Sequence, residues 1–473
     1  MNQLARCCLV PLLVAGCWSN SASAQSSSPT KIPPIKFSDT RLSNGLRVII
    51  AEDHYAPVFA IAVSYEVGSK DEREGRTGFA HLFEHMMFKG SENVGAGEHF
   101  FLIFNYGGNM NGTTNTDRTL YYEVLPKNQL DLGLFLEADR MRSLAITKDN
   151  LDNQRNAVQE ERRQGLDNQP YGKSGERFNE MAFDNFAYKH SVIGSMDDLN
   201  AASVQDVQDF FRTYYAPNNA VIALVGDLNT KDTLAKMEKY FANIPRQPSP
   251  RHVDLAEPDM KAERREKMDD KLARLTRLQI GYKIPAATSA DSPALSALGS
   301  IFGGGDSSRL YQKLVKDQEV CSAVGAGSAA RMGPGLFQIN CTVRPGKTPE
   351  QADALISEEI AKLHATPVTD KELKRVRTNA RRSAVAMRES ALSRAISLAD
   401  SASMYDDPNR INTSTDKLAA VTPADIHRVA KTYLRSENRV VMTTFPEAAP
   451  PAPAGAKPPA GAKPPAGAKP TAQ

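Results

Sequence analysis

Asp206-Val207-Gln208-Asp209-Phe210-Phe211-Arg212-Thr213-Tyr214, running on to Asn219-Ala220-Val221, reads as an amphipathic helix that hands over to a strand. The pattern returns late in the chain as Asp425-Ile426-His427-Arg428-Val429-Ala430-Lys431-Thr432-Tyr433, followed by Asn438-Arg439-Val440. Asp206 matches Asp425, Thr213-Tyr214 match Thr432-Tyr433, and Asn219 matches Asn438, all at one offset. A helix–strand pair that recurs in this way closes a unit of roughly 200 residues. Two such units suit a chain of 473 residues, because one hydrophobic core stops growing at about 250–300 residues.

Outward from that pair, strands alternate with helices. Leu42-Ser43-Asn44-Gly45-Leu46-Arg47-Val48-Ile49-Ile50 reads as a hairpin end running into a strand, and 57–67 as the next, rich in β-branched and apolar residues. Helical spacing predicts helices over 77–89, 97–104, 128–142, 148–165, 173–183 and 204–215, with a strand at 220–225. The expected class is α+β: two homologous domains, each an antiparallel sheet with helices on one side. The expected boundaries are 36–245 and 263–447. They are joined by a proline-bearing linker at 246–262 and followed by an Ala/Pro/Gly/Lys tail at 448–473 that cannot bury a core.

Acids and bases nearly balance, with a net charge of +3, which argues against a nucleic-acid binder. No apolar run beyond the first twenty-odd residues has membrane-spanning length, so no transmembrane segment is expected in the mature chain. Residues 1–24 carry one basic residue, an apolar stretch and Ala22-Ser23-Ala24, the pattern of a cleaved signal peptide, with a flexible lead at 25–35. The expected location is periplasmic or secreted. Val14-Ala15-Gly16-Cys17 also resembles a lipoprotein box, which leaves anchoring through Cys17 as the alternative. Outside that leader only Cys321 and Cys341 remain, on two expected strands around Met332-Gly333-Pro334-Gly335. They could pair as a disulfide in an oxidising compartment or stay as two small buried residues.

Chemistry concentrates in His81-Leu82-Phe83-Glu84-His85. Two histidines four apart on a helix share a face, so both imidazoles can reach one metal ion, with Glu84 beside it as a base. H-x-x-E-H is the inverted metallopeptidase signature. A third ligand is sought on 148–165, whose apolar side carries Leu151, Ala157 and Val158. Glu161 falls inside that arc and Glu160 outside it. Gln154 shares the stripe two turns earlier, beside the expected ligands. The competing reading makes Glu160-Glu161-Arg162-Arg163 an ordinary solvated face.

These features together resemble the pitrilysin/insulinase zinc metallopeptidases, in the branch similar to mitochondrial processing peptidase. The resemblance runs from about Leu42 to Phe445. It is carried by Gly78-Phe79-Ala80-His81-Leu82-Phe83-Glu84-His85-Met86-Met87-Phe88-Lys89-Gly90, Gly107-Gly108-Asn109-Met110-Asn111, Asp117-Arg118-Thr119-Leu120-Tyr121-Tyr122, Glu137-Ala138-Asp139-Arg140-Met141 and Ser308-Arg309-Leu310-Tyr311. It implies one Zn2+ per chain held by His81, His85 and Glu161, Glu84 as general base, and a fold forming half of a clamshell chamber. It further implies that Asn111 and Gly112 bind an extended peptide by strand addition. Three departures stand out. Gly112 replaces the usual Ala, and Gln154 stands where many relatives have Glu. Val315 and Ser322 occupy the places of a substrate-gripping Arg and Tyr. The resemblance therefore implies an exported zinc endopeptidase working with a homologous partner subunit that supplies Arg and Tyr, with a homodimer as the alternative. A non-catalytic peptide-binding or assembly subunit is the competing function.

Overall fold

The computed structural model describes residues 32–251 and 253–447; the leader, Cys17 and the repeat tail lie outside the described residues. The described residues from Ile35 to Glu447 belong to one compact unit. Its strands are β1 (Ser38–Arg41), β2 (Arg47–Glu52), β3 (Val58–Tyr65), β4 (Asn109–Thr114), β5 (Thr119–Pro126), β6 (Ala220–Gly226), β7 (Arg264–Asp270), β8 (Arg277–Ile284), β9 (Cys321–Ala329), β10 (Gly335–Val343) and β11 (Arg439–Pro446). They form a six-stranded sheet ordered β1-β2-β6-β3-β5-β4 and a five-stranded sheet ordered β7-β11-β8-β10-β9. Each sheet is antiparallel except for one parallel pair, β2 with β6 and β7 with β11.

The longer helices are α1 (Phe79–Met86), α2 (Glu98–Asn105), α3 (Leu130–Ser143), α4 (Lys148–Arg162), α5 (Gly172–Ala182), α6 (Val204–Tyr214) and α7 (Thr230–Phe241). In the second half they are α8 (Ser292–Gly303), α9 (Pro349–Ala365), α10 (Asp370–Glu389), α11 (Ala391–Tyr405), α12 (Arg410–Ala420) and α13 (Pro423–Tyr433). Between α7 and β7 the chain is irregular, without helix or strand. The helix at 148 closes as α-helix at Arg162 and continues as a π-helical turn over Arg163–Asp167.

The repeated pair has the same hydrogen bonds in both halves. Ser203 and Asp206 form a capping box at the start of α6, and Thr422 and Asp425 form its counterpart on α13. Each satisfies backbone N–H groups that a helix start leaves unpaired. The Asn219 side chain donates to Tyr214 O at 2.9 Å and that of Asn438 to Tyr433 O at 2.8 Å, fixing the turn from helix into β6 or β11. The matching residues thus persist because they close matching turns.

One expectation needs correction. The sheets are covered on both faces, not one. β3 and β6 are buried along almost their whole length, as strands sandwiched between layers must be. Leu46, Ile61, Val63 and Leu224 pack with Phe83, Leu134 and Met237 of the first half's own helices. On the opposite face Ile49, Ala60, Ala62 and Ala223 meet Ala395, Leu398 and Ala399 of α11, from the second half. The exchange is mutual: Phe178, Met181 and Ala182 of α5 pack on Leu336, Val440 and Met442 of the second sheet. Small residues on both sides of the first contact let the helix lie close to the sheet.

Cys321 and Cys341 form a disulfide, with Cα atoms 6.0 Å apart, linking edge strand β9 to β10. They are not directly opposite: Cys341 faces Val324, and a register shift follows at Thr342/Val343.

Candidate metal centre

α1 begins at Gly78, whose φ of +84° a side-chain-bearing residue rarely adopts. A Cβ there would also lie 2.6 Å from Ile193 O. Glu72, buried, accepts from the N–H groups of Gly78 at 2.9 Å and Ala80 at 2.8 Å, placing a carboxylate at the positive end of the helix. His190 Nε2 stands 2.9 Å from the same carboxylate. Burial pushes Glu72 upward in pKa. For His190 burial acts downward, but the hydrogen bond and charge of Glu72 outweigh it and the pKa is raised.

Leu82, Phe83 and Met86 anchor α1 in the core, which turns His81 and His85 toward the opposite side. Their rings lie 4.8 Å apart, edge to face. α1 packs against α4, and Glu161 Oε2 reaches to 3.7 Å from His81 Nε2 and 3.4 Å from His85 Nε2. Two bonds of about 2.1 Å at a tetrahedral angle separate their donor atoms by roughly 3.4 Å, so the three side chains suit one small cation. Burial lowers the His81 pKa to about 4, with His85 adding to the effect. The His85 pKa is lowered by burial against the opposing charge of Glu161. Neutral imidazoles are the metal-binding form.

Glu161 reaches the histidines but is not turned into the core. Its side chain is half exposed, and the site opens to solvent at that point. Glu160 points outward to Arg163 and Gln164. Gln154 is buried and hydrogen-bonds both Asn153 Oδ1 and His85. Among the described residues His81 Nδ1 is buried with no hydrogen-bond partner.

Glu84 lies on the side of α1 facing edge strand β4. Thr114 Oγ1 donates to Glu84 Oε2 at 2.5 Å. Burial pushes the Glu84 carboxyl up to about 7, Thr114 acting in the opposite sense. Asn111 and Gly112 sit on the same strand, which pairs only on its β5 side. The Gly112 N–H is met by the Asn111 Oδ1 at 2.8 Å rather than by a strand carbonyl. The partnership of Glu84 with Thr114 was missed from sequence. The period-two alternation from Gly112 to Thr114 was the available signal.

A second group of matching residue types, His99, Glu123 and Glu137, is fully buried. His99 Nε2 lies 2.5 Å from Glu123 Oε1. Glu137 accepts two hydrogen bonds from Arg140, whose guanidinium stacks 4.6 Å from the Tyr121 ring centroid. Arg140 supplies the compensating charge, so this group is an internal ion-pair network.

Val315 is buried in the π-helical stretch Tyr311–Asp317, and Ser322 is exposed at the start of β9. The second half's two histidines are engaged by backbone: His364 Nε2 with Ala430 O at 3.1 Å and His427 Nε2 with His364 O at 2.9 Å.

Sequence comparison bears on this arrangement directly. Residues 47–195 match the family described as Insulinase (Peptidase family M16), and residues 201–380 match Peptidase M16 inactive domain. The chain is 30% identical over 410 residues to the zinc protease PqqE of Helicobacter pylori, spanning 85% of this chain and 90% of that one. It is 23% identical over 419 residues to a probable mitochondrial-processing peptidase subunit beta of Arabidopsis thaliana, covering 86% and 78%. The protein belongs to peptidase family M16, the insulinase or pitrilysin zinc peptidases. A crystal structure of a protease from Helicobacter pylori superposes with a TM-score of 0.83 at 28% identity, over 87% of this chain and all of that one. The periplasmic protease PqqL of Escherichia coli gives 0.72 at 20% identity, covering 88% of this chain but 48% of PqqL. That chain is about twice as long.

Proposed function

We propose that the protein is an exported zinc endopeptidase that cleaves extended peptides. The observation that carries this reading is the meeting of Glu161 with both motif histidines beside a base-bearing edge strand. His81, His85 and Glu161 would hold the ion. Zinc bound there lowers the pKa of a water and polarises a carbonyl. Glu84, with a pKa near neutrality, takes the water's proton at one carboxylate oxygen and returns it to the leaving amine nitrogen. An extended substrate adds to β4, where its carbonyl replaces the Asn111 side chain at the Gly112 N–H. Freed, the Asn111 amide can bind the peptide in turn.

A homologous partner subunit belongs to the same reading. Val315 and Ser322 give this chain no Arg and Tyr at the substrate-gripping places. Four of the six exposed large apolar side chains among the described residues, Phe100, Phe101, Phe104 and Tyr106, lie on α2 and the turn after it, next to β4. An aromatic face so concentrated marks a binding surface. In PqqL the stretch similar to this chain makes up 48% of the chain. We assign the face to the partner.

The test is hydrolysis of quenched fluorescent peptides by the zinc-loaded chain, with and without a homologous subunit bearing Arg and Tyr. Cleavage that needs Glu84 and rises with the partner supports the proposal. A well-folded sample that takes up no zinc supports instead a non-catalytic peptide-binding subunit, the reading favoured by the missing Arg and Tyr.

A further inference from the structure

We propose that Thr114 is the positioning residue for Glu84. The inference rests on the peptidase reading and deepens it.

β4 alternates its side chains, so Gly112 and Thr114 point to the face where α1 lies, while Asn111 and Thr113 point to the other. The Thr114 hydroxyl has a single hydrogen. Its two neighbours are Glu84 Oε2 at 2.5 Å and Thr119 Oγ1 at 3.4 Å. Thr119 uses its own hydrogen on Val67 O at 2.9 Å. The Thr114 proton is therefore committed to Glu84. Two residues back, a Cβ at position 112 would stand 2.9 Å from Glu84 Oε1, 3.0 Å from its Cγ and 3.2 Å from its Cδ. The carboxylate lies over the bare Cα of Gly112, held at one oxygen by Thr114.

The consequence is geometric. The strand that aligns the peptide also seats the base, so both reactants of the proton transfer are registered to one backbone. A base carried by α1 alone would keep three side-chain torsions to order at each turnover. Anchoring one oxygen on β4 removes most of that freedom before substrate arrives. The oxygen Oε1 stays available for the water.

The experiment compares Thr114→Val and Thr114→Ser with the unsubstituted full chain, loaded with zinc and supplied with the partner subunit if activity requires it. Valine keeps the shape and removes the hydroxyl. We expect Thr114→Val to lower kcat by about 10- to 100-fold with KM, zinc stoichiometry and melting temperature unchanged. Serine should recover kcat to within about threefold. Wild-type kcat in Thr114→Val would overturn the proposal. So would a serine variant as impaired as valine, or a rise in KM at constant kcat, which would assign the hydroxyl to substrate. Should Glu84→Gln itself cleave at the unsubstituted rate, the peptidase mechanism fails instead, and the two failures are told apart.

Discussion

The two sheets are built alike and differ where it matters for chemistry. β3 and β8 are central strands, each flanked by the second strand of the hairpin that follows it, β5 or β10, and by the strand that closes the repeat. β4 and β9 are the corresponding edges. After β3 comes α1, with His81, Glu84 and His85; after β8 comes α8, Ser-Pro-Ala-Leu-Ser-Ala-Leu-Gly-Ser-Ile-Phe-Gly, with no group able to bind a metal or move a proton. α8 packs against β9, and its Gly303 approaches Ala326 so closely that a Cβ would collide with its backbone. Edge strand β4 holds Glu84 of α1 through Thr114; edge strand β9 is tied down by a disulfide. One copy of the fold places two imidazoles and a carboxylate on the helix beside its edge, and the other places only serine, small and apolar side chains there.

The difference can be broken at several points. The largest effect should come from Glu84→Gln, which keeps shape and zinc but removes the base; peptide turnover should fall by about 10²- to 10⁴-fold, read by fluorescent-peptide kinetics alongside metal analysis. Next, His81→Ala should drop bound zinc from one per chain to near none by atomic absorption. His364→Gln and His427→Gln, in the second half, should leave it at one, since both rings are spent on backbone carbonyls. Loss of zinc in either of those would mean that the halves share the metal.

In the second half, Cys341→Ser should destabilise the fold by about 3 kcal/mol in urea titrations without changing zinc stoichiometry. A smaller effect is set by pH. The folded state holds the Glu84 proton more tightly than the unfolded chain, with a pKa of about 7 against an ordinary 4.5. The associated stability is fully present below the ordinary value and is lost as pH rises toward 7. In chelator-treated protein, Glu84→Gln should therefore stabilise by about 2 kcal/mol at pH 8 and by little near pH 4.5. A variant equally neutral at both pH values would place Glu84 in water. Smallest of all, Ser203→Ala and Thr422→Ala should each cost about 1 kcal/mol. Equal losses would sharpen the likeness of the two halves that everything else distinguishes.

Much of this was readable from residues, for identifiable reasons. Helix spacing brings His81 and His85 to one face whatever else the chain does, because the pitch is fixed by backbone hydrogen bonds. The repeat of Asp206 and Asn219 at Asp425 and Asn438 was visible because capping and turn closure demand particular side chains at particular positions. The helix boundaries fell within a few residues of those expected. Glu161 was singled out by its angle on the helix as pointing inward; it does approach both histidines, but from a half-exposed position, not from a buried one. Burial on both faces of each sheet was missed. The helices responsible, α5 and α11, are distant in sequence from the strands they cover, and their small residues carry no pattern that names a target.

By itself, then, the sequence determined the local geometry: which side chains share a helix face, and which helix–strand stretch recurs in the chain. Tertiary structure alone decided that α4 lies across α1 so that Glu161 meets both histidines, that Thr114 rather than solvent holds Glu84, and that α5 and α11 are exchanged between the halves. Local geometry follows from backbone hydrogen bonding over a few residues. Those other meetings depend on how whole layers pack, where contacts far apart in the chain are settled together.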